Sequence, residues 1–158
     1  LAKPVQRPKT AGAKEKEDGI RKSQKILLTW LVSDERIFGQ IKDYISPEDF
    51  SDGIYRKAAG LLFQQYHDGE INPARIMNYF TDEEEHREVA ALFHTRIEEL
   101  TSEREKEKAL METVLRIKNH SIETATRNLE PTDMAGLQRL MEAKKELQDL
   151  KKLHISIN

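Results

Sequence analysis

The chain has 158 residues, room for one domain or a domain with an appendage, and its 26 basic and 28 acidic residues leave a formal charge of −2. Charges so evenly mixed are unlike the basic stripe of a duplex-binding surface, and the lack of any cysteine excludes disulfides and thiolate zinc sites. A hydrophobic fraction of 37% against a charged fraction of 34% implies a large surface for the core, and no apolar run approaches membrane-spanning length. No apolar stretch follows Leu1-Ala2-Lys3-Pro4 as a signal peptide would require. With no initiator methionine the chain is expected to be a piece of a longer protein, and residues 1–18, with Pro4, Pro8 and Gly12 among basic residues, read as a flexible interdomain linker.

From Ile20 the pattern is helical: Ile26, Leu27, Trp30 and Leu31 recur at three- and four-residue spacing, with Leu28 and Val32 widening the stripe. Ser33-Asp34-Glu35 supplies a stop and a fresh N-cap, because a side-chain oxygen accepts the orphan amides of a first turn. A second helix turns Ile37, Phe38, Ile41 and Ile45 inward, and Ser46-Pro47-Glu48-Asp49 restarts the chain as a short helical turn with Pro47 at its first position. Phe50-Ser51-Asp52 opens a third helix to about His67, burying Ile54, Tyr55, Ala58, Leu61, Leu62 and Phe63, and Asp68-Gly69 ends it. Asn72-Pro73 starts a fourth with Ile76, Met77, Tyr79 and Phe80 as its buried side. Thr81 with Glu84 has capping-box spacing ahead of Val89, Ala90, Leu92 and Phe93, and Ser102 with Glu105 repeats the device. All ten aromatics lie between Trp30 and Phe93, which places the main core in that half.

From Ser102 the texture changes. Met111, Leu115, Ile122, Ala125 and Leu129 form a narrow seam with Lys118 at a missing step, while Leu110, Val114 and Ile117 widen its first half and dock it on the bundle. After Pro131, with Thr132 or Asp133 as cap, Leu137, Leu140, Leu147 and Leu150 continue a seam with Lys144 at one step. The expected fold is all-α: a compact multi-helix bundle over residues 19–110, then a long helix and an antiparallel C-terminal helical hairpin over 111–158. So few apolar residues imply an arm that projects from the globule and is its least stable part. A bend is expected at Lys118-Asn119-His120-Ser121, where polar residues weaken the helix.

Motifs for chemistry are weak. His67, His86, His94, His120 and His154 show no pair at the four-residue spacing of helical zinc enzymes, and Asp82-Glu83-Glu84-Glu85 is accounted for by a first helical turn. The seven glycines form no phosphate-cradling loop, and there is no Gly-x-Ser-x-Gly elbow. Neither a catalytic residue nor a cofactor or metal ligand is expected in this segment. The hairpin tip offers more. Leu129, Glu130, Thr132, Met134, Leu137 and Met141 flank the turn away from the bundle, and flexible Met side chains at helical spacing suit docking on a partner.

Ile26-Leu27-Leu28 with Leu31, then Ile37 with Ile41, then Phe50-Ser51-Asp52-Gly53-Ile54-Tyr55 resembles the helical C-terminal domain of bacterial replicative DNA primases, of a Gram-positive, Bacillus-like kind. The pattern is shared with the N-terminal collar domain of the replicative helicase, the alternative reading, as an oligomerisation module. The long helix, the Pro-containing hairpin and the basic linker favour primase, and the resemblance covers roughly residues 20–155. It implies a cytoplasmic module that binds the N-terminal collar of the hexameric helicase, recruits primase to the fork and modulates the helicase, with no nucleic acid or membrane as direct partner. The implied parent is a DNA-directed RNA polymerase, a nucleotidyltransferase that uses zinc and magnesium. Its Cys-rich zinc domain and Asp-x-Asp metal cluster are not represented in this chain.

Overall fold

A computed structural model describes residues 11–95 and 102–157, and among them all regular structure is helical. Helix α1 spans Ala11–Ser33, α2 Glu35–Ile41, α3 Ile54–Asp68, α4 Pro73–Tyr79, α5 Glu83–Phe93, α6 Glu103–Asn128 and α7 Met134–Lys152, with a 3-10 turn at Pro47–Asp49 between α2 and α3. The caps explain most boundaries. Asp34 accepts the Arg36 amide at 3.0 Å, Asn72 the Arg75 amide at 3.2 Å, Ser102 the Glu105 amide at 3.2 Å and Asp133 the Gly136 amide at 2.8 Å. Gly69 closes α3 at φ +81°, a dihedral that an L side chain rarely adopts. In the short turn, the Ser46 amide donates back to the Asp49 carboxylate at 2.9 Å.

One core joins the bundle to the long helices. Leu27, Leu28 and Leu31 of α1 pack with Ile37 and Ile41 of α2, Leu62 of α3, Ile76 of α4, Val89 and Leu92 of α5, and Leu110, Val114 and Ile117 of α6. Helices α1 and α6 run antiparallel, as two side-chain contacts show: Lys16 pairs with Glu123 at 3.0 Å, and Arg116 donates to Ser23 Oγ at 3.0 Å. Phe38 stacks on Tyr66 at 4.1 Å and meets Phe63 edge-on at 5.1 Å. The Tyr66 hydroxyl donates to the Leu31 carbonyl, and burial, reinforced by Glu35 and Asp34, pushes its pKa up to about 12. Gln24 is fully buried and satisfied: its amide group donates to Ser51 Oγ at 2.9 Å and accepts the Ser51 backbone amide at 3.1 Å.

Several sequence expectations are corrected. Helix α1 begins at Ala11, so residues 11–18 are helical rather than linker, and residues 1–10 lie outside the described residues. Tyr79 is 62% exposed because the buried side of α4 narrows to Ile76, with Phe80 following it. The cap of α5 is Asp82, one residue after Thr81, its carboxylate accepting the Glu85 amide at 3.1 Å. Ala125 and Lys144 face solvent, and Ala143 takes the seam place beside Leu140 and Leu147.

The boundary at 110/111 does not divide the packing either. The buried face of α6 runs continuously through Leu110, Thr113, Val114, Ile117, Lys118 and Ile122, and Leu150 of α7 joins the main core. The chain after α7 returns to the bundle as well. Ile155 is buried, Gln40 and Ser156 exchange two hydrogen bonds at 2.7 and 2.8 Å, and the Ile157 amide donates to Glu107 at 3.2 Å. Helix α6 is therefore docked against α1 and the 3-10 turn, whereas α7 packs on α6 and reaches the main core at Leu150, near its C-terminal end.

Candidate partner-binding surface

What fixes the arm is a buried polar cluster that the sequence pattern registers only as a gap. Lys118 stands on the α6 face that meets both the 3-10 turn and α7, and its side chain is 3% exposed. Its Nζ lies 3.3 Å from Asp49 of the turn and 3.6 Å from Glu146 of α7. Asp49 also accepts the Ser121 hydroxyl at 2.8 Å and the Ser46 amide at 2.9 Å. A lysine stem fills an apolar seam while its ammonium finds two carboxylates, which is how a charged group becomes tolerable inside a protein. The stretch 118–121 is thus tied to the turn by Lys118 and Ser121, and α6 is one helix from Glu103 to Asn128. Where a bend is expected, the helix is unbroken and carries an anchor.

Beyond the anchor the hairpin has a small core of its own: Ile122, Leu140 and Leu147, with Leu115, Leu129 and Ala143 against them. Of the six residues assigned to the tip, Leu129 is drawn half-buried into this core and helps close the hairpin on itself. Glu130 and Thr132 are exposed in the turn. Met134, Leu137 and Met141 stand out of the core at 71%, 39% and 63% exposure. Leu137, expected in the seam, points to solvent because α7 presents Gly136, Leu140, Ala143 and Leu147 to α6 instead.

The tip is held in shape by Asp133. Its carboxylate accepts the Gly136 amide, and a Cβ added at Gly136 would sit 2.3 Å from Asp133 Oδ2 and 3.0 Å from Leu129 Cδ1. Asp133→Ala is expected to lower stability by about 1 kcal/mol. Gly136→Ala is expected to do much the same by displacing that carboxylate. Because both changes disable one cap, the double variant should lose little more than either alone in urea unfolding.

The remaining titratable groups are dispersed. His86 Nδ1 lies 2.8 Å from the Met77 carbonyl, the His67 ring meets Phe38 edge-on at 6.0 Å, and His154 is 3.6 Å from Glu107. Burial pushes the His120 pKa down, and its Nδ1 is buried with no hydrogen-bond partner among the described residues. His94 occupies the position that follows the last residue of α5. Among the described residues no three His, Asp or Glu side chains converge to hold a metal, and the chain has no cysteine. No described helix is long and apolar enough to cross a membrane. Comparison with known protein families, with characterised proteins and with solved structures returned no match to this chain.

Proposed function

We propose that this chain is the helicase-binding module of a bacterial replicative DNA primase, recruiting the primase to the hexameric helicase and modulating helicase activity. The observation that carries the proposal is the tip of the hairpin. Met134, Leu137 and Met141 are large apolar side chains left in solvent on a helix whose opposite face is already satisfied. Apolar residues at three- and four-residue spacing on one helix face suit a groove or a helix pair on another protein, and Met side chains adapt to such a surface. The sequence resemblance over Ile26–Leu31, Ile37–Ile41 and Phe50–Tyr55 supports the choice of partner. On this reading the segment performs no reaction of its own, and primer synthesis belongs to other parts of the parent protein.

The docked arm suits this work. A tip held by a continuous helix and a buried ion cluster presents its apolar residues in one arrangement, which reduces the ordering cost that a flexible arm would incur on binding.

Gel filtration of the chain with hexameric helicase at micromolar concentration tests the proposal. Co-elution is expected, and Leu137→Asp or Met141→Asp should weaken binding at least tenfold with melting nearly unchanged. Helicase that elutes alone in the presence of the chain would refute it, and ring formation by the chain without any partner would favour a collar domain instead.

A further inference from the structure

The recruitment reading uses the first half of one helix face and leaves the second half without a role. Along the side of α7 turned away from α6, Met134, Leu137 and Met141 give way to Lys144, Lys145, Gln148 and Lys152, all exposed. Lys151 and Lys152 are accounted for by the partial negative charge at a helix C-terminus. Lys144 and Lys145 are not, since they sit mid-helix, beyond the reach of that effect. Among the described residues neither makes an ion pair, although Glu142 and Asp149 lie at helical spacing from Lys145. The lysines next to the apolar tip are uncommitted cations.

We infer that the outer face of α7 docks on a partner surface in which an apolar socket adjoins an acidic strip, with Met134, Leu137 and Met141 entering the socket and Lys144 and Lys145 set against the strip. This rests on the recruitment reading and adds the chemistry of the surface that is met. One helical turn, about 5.4 Å, separates Met141 from Lys145, so socket and strip must be immediate neighbours. Glu142 and Asp149 border the lysines along one edge. A broad anionic surface such as a phospholipid bilayer or a nucleic-acid backbone would bring its phosphates against those carboxylates as well, whereas a narrow acidic strip on a folded protein would not. A second copy of this chain is disfavoured because the same face would set lysines against lysines in a parallel pair and against the apolar residues in an antiparallel one, and neither supplies an acidic strip. Complementary charge beside an apolar anchor speeds encounter and sets register more than it adds affinity, so its signature is dependence on salt.

The experiment measures binding to hexameric helicase at about 0.05 M and about 0.3 M salt, between which the screening length falls by more than half. Wild-type affinity is expected to fall about tenfold over that range. A variant carrying Lys144→Glu and Lys145→Glu should bind about tenfold more weakly at the lower salt and lose most of the salt dependence, with unchanged melting. Met141→Asp should weaken binding at both salts. If the double lysine variant binds like wild type at both salts while Met141→Asp still fails, the acidic strip is refuted and recruitment stands. If wild type binds at neither salt, the recruitment reading falls and takes the inference with it. Binding of wild type to phosphatidylglycerol vesicles or single-stranded DNA that is lost in the lysine variant, with helicase binding unaffected, would also overturn the inference.

Discussion

Lys118→Ala is expected to lower stability by about 3–5 kcal/mol, the range for removing one member of a buried ion pair. The cost comes from what is left behind. Without the ammonium, the Asp49 carboxylate, 8% exposed, keeps, among the described residues, the Ser121 hydroxyl and the Ser46 amide, both neutral donors. Glu146 loses its only ion-pair partner among the described residues but is 40% exposed and regains water, so it contributes little. Lys118→Met separates charge from volume: it refills the seam yet leaves Asp49 uncompensated, and most of the loss should persist. Pairing Lys118→Met with Asp49→Asn, which keeps acceptor and shape, should cost clearly less than the sum of the single changes. Urea unfolding checks the series. A Lys118→Ala loss below about 1 kcal/mol would mean that water reaches the cluster and that the anchor is ordinary surface electrostatics.

Leu150→Ala carries the second large effect, about 2–5 kcal/mol for a fully buried leucine cut back to its β-carbon. Leu150 belongs to the main core and not to the small cluster at the tip. Its loss should therefore weaken the whole molecule and not merely loosen an arm. Trp30, the single tryptophan, lies in the bundle core and reports on that part alone, whereas far-ultraviolet circular dichroism reports on all helices. The two probes are expected to show coincident transitions, both shifted by Leu150→Ala. A fluorescence midpoint that stays put while part of the helical signal melts earlier would show the hairpin to be an independent unit. The contrast with Met141→Asp is the useful one. Residues a few turns apart on α7 should affect stability and partner binding in opposite proportion.

Both predictions describe an arm more firmly held than its composition implies, and the reason is instructive. The seam of α6 and α7 contains polar residues at Lys118 and Lys144, and pattern alone treats the two alike. In the fold, Lys144 is exposed while Lys118 is buried against a carboxylate from a turn 69 residues earlier in the chain. Spacing along one helix cannot reveal a partner so distant, and Asp49 itself reads as nothing more than a capping residue. The seam turns Leu150 inward without showing that it joins the main core, and the burial of Ile155 was hidden for a similar reason: the tail is short, without periodicity, and positioned by Gln40 of another helix. Leu129, assigned to the tip, also packs inward, whereas Tyr79, Ala125 and Leu137, expected inside, are exposed.

Local chemistry was enough to write down the all-helical fold, several helix boundaries and the hairpin turn, because caps, Gly69 and the prolines act over a few residues and leave their mark in sequence order. It was enough, too, to put Met134 and Met141 on the exposed part of the tip, since polarity near a turn far from the aromatic core limits what they can touch, while it assigned Leu137 to both seam and tip. Which side of α7 meets α6, whether the arm is free or docked, and what becomes of a lone lysine in an apolar seam were decided in three dimensions. Those outcomes depend on long-range contacts, which bring together side chains with no regular relation in the sequence and make burial of a charge possible only where its counter-charge arrives from elsewhere.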